Sequence, residues 1–363
     1  MVKRYHRVLT LLLLIASLTL VLQRWVGDVT IYRPELAERR QLLHEAILHN
    51  RLPQGNATWT ELGANDLNVR IATVYFAEWV HRATGFNVQK IYKSLDTIAL
   101  FAALLLLFAY LRMTSKPSFA LVGLLYVAAI LPLTYFYGYF HPWDRASLVC
   151  WVALLMLLRR ERLVAFAVLL AVSIPIKYDT ILLPGLYFLA KITRHTWPQV
   201  VVRSALLFAL SFGIWMGMRL LLPGGFEERH LMAQLLSNLR DFQSTSYGYP
   251  PLLGLALPIL LALGGIQWSD RFSRASVVFG LLLLVPFFTR SNFIEIRAQI
   301  PVILLMLPSA LMALRFLCEG EPDAKARSPS LKREGTPGSR RSKYFCRLRN
   351  DAPVMAIERM GDS

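Results

Sequence analysis

Ten apolar stretches, separated by short polar segments, set the hydrophobicity pattern of this chain. An α-helix that spans a bilayer needs about 20 mostly apolar residues, within a range of roughly 17–25. The stretches between residues 145 and 193 are shorter and need flanking residues to reach that length. The pattern predicts an all-α fold, a polytopic transmembrane helix bundle of about ten spans. The predicted spans cover residues 8–26, 96–113, 118–138, 145–158, 163–177, 180–193, 201–222, 250–267, 275–289 and 298–318.

The charged residues between these stretches fall into two sets that alternate along the chain. One set holds acids beside aromatic residues, and the other is short and basic. Together with the tail after Arg315, the basic set contains more than half of the 40 Lys and Arg residues. Cytoplasmic loops collect Lys and Arg near span ends, so both termini are predicted to be cytoplasmic, as an even number of spans requires. The basic set consists of Lys3, Arg4, Arg7, Arg112, Lys116, Arg159, Arg160, Arg162, Lys191, Arg194, Arg203, Arg271 and Arg274.

Composition agrees with a protein whose main partner is the lipid bilayer. The mean hydropathy of +0.44 and the hydrophobic content of 55% are too high for an ordinary soluble domain. A net charge of +17 would suggest nucleic acid in a soluble protein, but the basic loops and tail account for it, so no nucleic-acid partner is expected. The three cysteines predict no disulfide framework, and no metal site or cofactor is expected.

The N-terminal stretch is open to two interpretations. Lys3, Arg4 and Arg7 precede an apolar run, which is also the order of a secretory signal peptide. No clear small-x-small cleavage site follows the run, so an uncleaved first span is favoured.

The first outer loop, residues 27–95, is the longest and carries two predicted helices. Pro34 suits the first position of a helix, and Glu35 suits the positive end of the helix dipole. The periodicity predicts amphipathic helices at about 35–50 and 66–84, parallel to the membrane or packed on the bundle.

Composition divides the chain into two regions. Residues 1–318 form the predicted transmembrane domain. Residues 319–363 are rich in Pro, Ser, Gly, Lys and Arg and poor in apolar runs, which predicts a basic and mostly disordered cytoplasmic tail.

Three acids at the outer face are candidate catalytic residues, namely Asp28, Glu35 and Asp144. An acid just outside the membrane can act as a general base toward an acceptor hydroxyl. Each also has a structural interpretation, because Asp28 suits a turn and the other two suit helix starts, where capping and the dipole favour acids.

Five further outer residues are candidate substrate-binding groups. Lys177 lies close to Asp179 between two short spans, where it is either a solvated ion-pair partner or a contact for an anionic headgroup or phosphate. Arg290, Glu295 and Arg297 surround the entry to the last span. Because unpaired burial of a charge there is costly, either a structural ion pair or a bound ligand is expected.

The order of parts resembles the GT-C superfamily of membrane glycosyltransferases. The stretch from Asp28 through PELAERRQLLHEAILHNRLP looks like the opening of their first outer loop. TGFNVQKIYKSLDTIALF looks like the lead into their second span. YFHPWDRASLVCWVALLMLLRRER and IPIKYDTILLPGLYFLA look like segments of bacterial membrane proteins of this broad type. The better-defined branches have a tandem Asp-Glu, whereas here Asp28 and Glu35 stand apart.

The resemblance implies an activity, a donor and a location. GT-C enzymes take sugars from polyprenyl-phosphate donors, and their catalytic acid lies in the first outer loop. By similarity, Asp28 or Glu35 is the base, and Lys177, Arg290 or Arg297 contact the phosphate. The implied location is the bacterial inner membrane, and a divalent metal, known in the family, has no support among these residues.

Two other classes of function compete with the transferase. A transporter or flippase places ionisable residues near the bilayer midplane, whereas most charges here lie at span ends. A non-catalytic assembly protein is the third hypothesis.

Overall fold

The computed structural model describes residues 2–49, 51, 70–135, 143–193, 196–222, 231–243, 252–290 and 296–320. These residues form thirteen α-helices joined by shorter π- and 3₁₀-helical segments, and they contain no strand. The predicted all-α fold is therefore confirmed. The helices are α1 (Val2–Leu22), α2 (Pro34–His49), α3 (Ile71–Thr84), α4 (Val88–Leu111), α5 (Pro117–Ile130), α6 (Asp144–Arg159), α7 (Leu163–Ser173), α8 (Leu183–Lys191), α9 (Trp197–Leu221), α10 (Leu231–Gln243), α11 (Leu257–Gly265), α12 (Arg271–Arg290) and α13 (Ile296–Glu319).

Four of these helices are long and apolar enough to cross a membrane, which supports an integral membrane protein. They are Val88–Leu111, Trp197–Leu221, Arg271–Thr289 and Arg297–Glu319. Shorter apolar helices lie at Val8–Leu22, Pro117–Leu133, Leu163–Ser173 and Gly254–Trp268. The count of ten spans, the orientation of the termini and the kind of membrane remain predictions.

The core of the bundle lies where α4, α6 and α13 meet. Leu104, Trp151 and Leu305 are fully or almost fully buried there. In the most apolar window of α13, 67% of the residues are buried, compared with 22% in that of α9. The last helix is therefore central, and α9 lies at the periphery with most of its apolar surface exposed, as expected of a helix that faces lipid.

Helix α4 begins at Val88, well before the predicted start of the second span at residue 96. The Asn87 side chain accepts a hydrogen bond of 2.8 Å from the backbone N–H of Gln89, which caps the helix. Because the helix starts early, Asp96 lies inside it rather than at its end. Asp96 is therefore a buried acid within the bundle.

The two helices predicted in the first outer loop are present. Leu43 and Ile47 of α2 pack against Val74 of α3 and against Trp143, which precedes α6. Helix α3 ends at Gly85, whose φ of 71° is the left-handed conformation that glycine adopts most readily. The orientation of these helices relative to the membrane stays a prediction, and the predicted tail lies outside the described residues beyond Gly320.

Ion pairs occur at both ends of the bundle. At the start of α6, Asp144 contacts Lys177 and Arg297, and at its end Arg159 pairs with Asp270. The rise of an α-helix separates these two ends by about 22 Å. The acid-containing set and the basic set of the sequence therefore lie at opposite ends of α6.

Candidate functional site

A small cavity lies where the start of α6, the start of α13 and the turn after α7 meet. Its volume, counted as space for the centres of water-sized spheres, is about 30 Å³, which holds roughly two water molecules. Both charged and apolar side chains line it. The lining residues are Leu131, Asp144, Arg145, Ser147, Leu148, Trp151, Lys177, Asp179, Arg297, Ile300, Pro301 and Leu304.

Asp144 is one of the two acids that line the cavity. As the first residue of α6, it lies at the positive end of that helix dipole. Its Oδ1 lies 3.3 Å from Nζ of Lys177, and its Oδ2 accepts a hydrogen bond of 3.1 Å from Nη1 of Arg297. All three side chains are 11–13% exposed. The structure thus brings together one predicted catalytic acid and two predicted substrate-binding cations.

Lys177 also contacts the second acid of the cavity. Its Nζ lies 3.3 Å from Oδ2 of Asp179, whose side chain is 14% exposed. Lys177 adopts extended backbone and precedes the 3₁₀ helix Tyr178–Leu182, which lets one ammonium group reach both carboxylates.

Two polar atoms of cavity-lining residues have no hydrogen-bond partner within the described residues. They are Oδ1 of Asp179, an acceptor, and Nε1 of Trp151, a donor, and both atoms are buried. Buried polar groups are normally satisfied by protein, water or ligand. A polar ligand that offers both a donor and an acceptor would therefore suit this cavity.

A buried ion pair that sequence reasoning missed joins Arg145, which lines the cavity, to Asp96 of α4. Nη1 of Arg145 is 2.7 Å from Oδ2 of Asp96, and these side chains are 3% and 4% exposed. The same Nη1 donates a hydrogen bond of 2.6 Å to Oε1 of Gln23. An acid in an otherwise apolar helix is the sequence signal for such a site, but a span that begins at residue 96 places this acid at the end of the span instead.

Asp28, another predicted catalytic acid, does not line the cavity. Its carboxylate lies 2.6 Å from Nζ of Lys93 and 3.3 Å from Nη1 of Arg24. The Lys93 ammonium also lies over the ring of Tyr32, 5.9 Å from its centre, and the Tyr32 hydroxyl is within hydrogen-bonding reach of Asp96. Asp28 is therefore connected to the cavity only through intermediate side chains.

The other three predicted site residues cannot be placed by their side chains. Glu35 lies in the first turn of α2 and Arg290 is the last residue of α12, but both side chains are outside the described part of the structure. Glu295 lies outside the described residues altogether.

Arg70 is a further cation near the cavity, and no pattern in the sequence predicts it as a site residue. Its guanidinium carbon lies 5.4 Å from the ring centre of Trp143 and 5.3 Å from that of Tyr178, a geometry typical of cation–π contacts. The backbone N–H of Ala72 donates a hydrogen bond of 3.1 Å to the carbonyl oxygen of Pro175. Through these contacts, the start of α3 packs on the residues that flank Asp144 and Lys177.

A second buried polar cluster joins α2 and α3 to α4. Nδ1 of His44 lies 2.7 Å from the hydroxyl oxygen of Tyr92, and its Nε2 lies 3.3 Å from Oε2 of Glu78. Burial lowers the pKa of His44, so its imidazole is neutral at neutral pH. Burial also lowers the pKa of Arg40 to about 10, which leaves it charged, with its guanidinium 4.9 Å from the ring centre of Tyr32. This cluster fixes α2 and α3 to the bundle without lining the cavity.

Comparison with known proteins adds no relative to this picture. No family model, no curated protein and no solved structure matches the chain. Within the described residues, no group of three or more His, Cys, Asp or Glu side chains is arranged to hold a metal ion. The geometry of the cavity and the sequence resemblance are therefore the two indications of function.

Proposed function

We propose that this chain is a membrane glycosyltransferase that transfers a sugar from a polyprenyl-phosphate donor to an acceptor hydroxyl. The observation that carries the proposal is the cavity in which Asp144 lies between Lys177 and Arg297. A carboxylate beside two cations, with apolar walls nearby, matches the needs of a donor that combines a sugar, a phosphate and a lipid.

In the proposed reaction, Asp144 is the general base and the two cations hold the leaving phosphate. The bond between the anomeric carbon and the phosphate oxygen breaks, and its electron pair leaves with polyprenyl phosphate. The acceptor oxygen bonds to the anomeric carbon, and its proton passes to the carboxylate of Asp144. Lys177 and Arg297 neutralise the charge that develops on the phosphate.

Donor binding changes the state of the base in this scheme. Without donor, Lys177 and Arg297 contact the carboxylate of Asp144. An entering phosphate competes for the same cations, and a carboxylate with weaker cation contacts is a stronger base. Binding of the donor thus makes Asp144 a stronger base.

Sugar hydroxyls have suitable partners beside this carboxylate. Oδ1 of Asp179 can accept a hydrogen bond from a hydroxyl, and Nε1 of Trp151 can donate one. A cavity that holds roughly two water molecules must widen before it admits a sugar ring.

The proposal includes a topology. Ten spans with both termini in the cytoplasm place the cavity on the extracytoplasmic face of a bacterial inner membrane. The support is the alternation of basic and acidic segments and the positive-inside rule. The resemblance implies a GT-C-like enzyme whose base lies in the first outer loop. The proposed base is instead Asp144, because its carboxylate contacts both Lys177 and Arg297.

A transfer assay on purified protein tests the proposed reaction. Asp144→Asn is expected to lower kcat by about 100-fold, because general acid–base groups typically contribute at least that much. Arg297→Gln is expected to raise KM for the donor, since it removes a phosphate contact. The donors are polyprenyl-phosphate hexoses and pentoses, and the readout is transfer of radiolabelled sugar.

Asp270→Asn provides the matched control, because Asp270 is also an acid paired with an arginine but lies at the opposite end of the bundle. It is expected to retain wild-type turnover. Wild-type kcat in an Asp144→Asn protein whose melting temperature is unchanged would contradict the proposed base.

The buried pair between Asp96 and Arg145 favours a second candidate function, the transport of a lipid-linked or small solute. Ionisable residues inside membrane helices often mark substrate or ion pathways. Proteoliposomes separate the two functions, because a transporter moves labelled lipid-linked sugar across the bilayer without cleaving the bond to phosphate. Translocation that Asp96→Asn abolishes, together with absent transfer, would favour transport over the transferase.

A further inference from the structure

The end of the bundle opposite the cavity carries a cluster of cations, here called the basic patch. Three contacts join separate chain segments into this one surface. Arg159 pairs with Asp270, Lys191 lies 2.5 Å from Glu161, and Arg271 donates to the carbonyl oxygen of Ile192. The patch consists of Arg159, Arg160, Arg162, Lys191, Arg271 and Arg274.

The acids of the basic patch do not neutralise it. Asp270 and Glu161 are each paired with a cation already. Arg160, Arg162 and Arg274 are exposed and have no ion pair among the described residues. The patch therefore presents three arginines that are available for an anion.

The position of the patch indicates the depth in the membrane at which that anion lies. Arg271 begins α12, and α9, which packs on α7 and α8, begins at Trp197, which is 55% exposed. Both helices are long and apolar enough to span a membrane. The ends of membrane-spanning helices lie at the level of the lipid headgroups, where Trp is also enriched.

An apolar stripe runs from the patch along α7. Val164, Val168 and Val172 are 80%, 61% and 54% exposed, and their spacing of four residues places them on one face of the helix. The 11 residues of α7 extend about 16 Å. This length is close to half of the hydrocarbon core, which is about 30 Å thick.

We propose that the basic patch and the α7 stripe form a binding site for one anionic phospholipid. The guanidinium groups of Arg160, Arg162 and Arg274 bind the headgroup phosphate, for which their planar donor geometry is suited. An acyl chain lies along the three valines. The surface has cations at one end, followed by an apolar stripe about as long as one leaflet is thick. A phospholipid has the matching arrangement, with an anionic headgroup followed by acyl chains.

The turn between α6 and α7 holds two of these arginines in place. Glu161 lies between them with a φ of 59°, a left-handed conformation that is costly for a residue other than glycine. Its carboxylate contacts Lys191, so the acid is directed to a neighbouring helix. This contact leaves the flanking Arg160 and Arg162 without competition from the nearest carboxylate.

Lipid binding to the purified full-length chain tests the site. Native mass spectrometry measures the retention of phosphatidylglycerol and of phosphatidylcholine by the wild type and by Arg160→Gln/Arg162→Gln/Arg274→Gln. The wild type is expected to prefer phosphatidylglycerol, and the triple variant is expected to lose about 100-fold in affinity for it, since each basic residue near an anionic surface contributes about fivefold. Affinity for phosphatidylcholine should change little.

The control removes three exposed cations at the cavity end by Arg24→Gln/Arg82→Gln/Lys90→Gln. This variant should bind phosphatidylglycerol as the wild type does. Equal losses in the two triple variants would show general charge attraction and overturn the site, as would wild-type binding by the patch variant.

If the patch variant does not fold, Arg274→Gln alone replaces it. It is expected to bind phosphatidylglycerol about fivefold more weakly than the wild type. Unchanged binding by this single variant would overturn the proposal.

Discussion

Replacing Arg145 with glutamine is expected to lower the free energy of unfolding by about 3–5 kcal/mol, the range for breaking one partner of a buried ion pair. The change leaves the carboxylate of Asp96 inside the bundle without the guanidinium group 2.7 Å away. Gln23 also loses a hydrogen bond of 2.6 Å. Reversible unfolding in detergent micelles, followed by circular dichroism, measures the loss.

A double-mutant cycle tests whether this loss arises from the pair itself. Asp96→Asn/Arg145→Gln should be more stable than the sum of the two single changes predicts, because the double variant contains no unpaired charge. Additive effects would contradict the pairing. Arg24→Gln is the surface control, since Arg24 pairs with Asp28 but is 82% exposed, and it should cost at most about 1 kcal/mol.

Replacing Gly265 with alanine is expected to destabilise the protein by about 3 kcal/mol, at the upper end of the usual range for overpacking. A Cβ atom at this position would lie 2.0 Å from the carbonyl oxygen of Ser309 and 2.8 Å from the backbone nitrogen of Ala313. Both atoms belong to the backbone of α13, which cannot rotate away as a side chain can. Helices α11 and α13 must therefore separate, and the melting temperature in detergent measures the result.

Gly264→Ala is the matched control for this prediction. A Cβ atom there meets nothing within 4 Å, and alanine favours a helix over glycine by up to about 1 kcal/mol. The neighbouring change should therefore be neutral or slightly stabilising. Equal melting temperatures for the two variants would show that α11 and α13 are less closely packed than the structure has them.

Sequence pattern predicted the helices well because apolar periodicity and length are local properties. It was less successful where a helix begins. The second span was predicted to start at residue 96, but the cap at Asn87 starts α4 at Val88. The pattern therefore predicts Asp96 at the boundary of a span, whereas it lies within a helix and is 4% exposed.

The cavity shows why neighbouring residues in sequence can have different partners. Asp144 and Arg145 are adjacent, but successive residues of an α-helix point about 100° apart. Asp144 contacts Lys177 and Arg297, whereas Arg145 contacts Asp96 on α4.

No local sequence pattern predicts the contacts between distant residues that form the cavity. Arg297 follows Asp144 by 153 positions, and their meeting depends on how α6 and α13 pack in the core. The sequence therefore supplied the candidates, and tertiary packing selected Asp144, Lys177, Asp179 and Arg297 from among them.

Photolabelling with a polyprenyl phosphate that carries a diazirine on its first isoprene unit is the most direct test of the cavity as the donor site. The label is expected on α6 and α13, at peptides that contain Leu148 or Ile300, and excess unlabelled polyprenyl phosphate should prevent it. Asp144→Asn should retain the label, because the base does not hold the phosphate in this account.

Lys177→Met/Arg297→Met should lose about nine tenths of the labelling, since a lost charged contact typically weakens binding by tenfold or more. Undiminished labelling in this double variant, or label that maps to helices away from the cavity, would contradict the account.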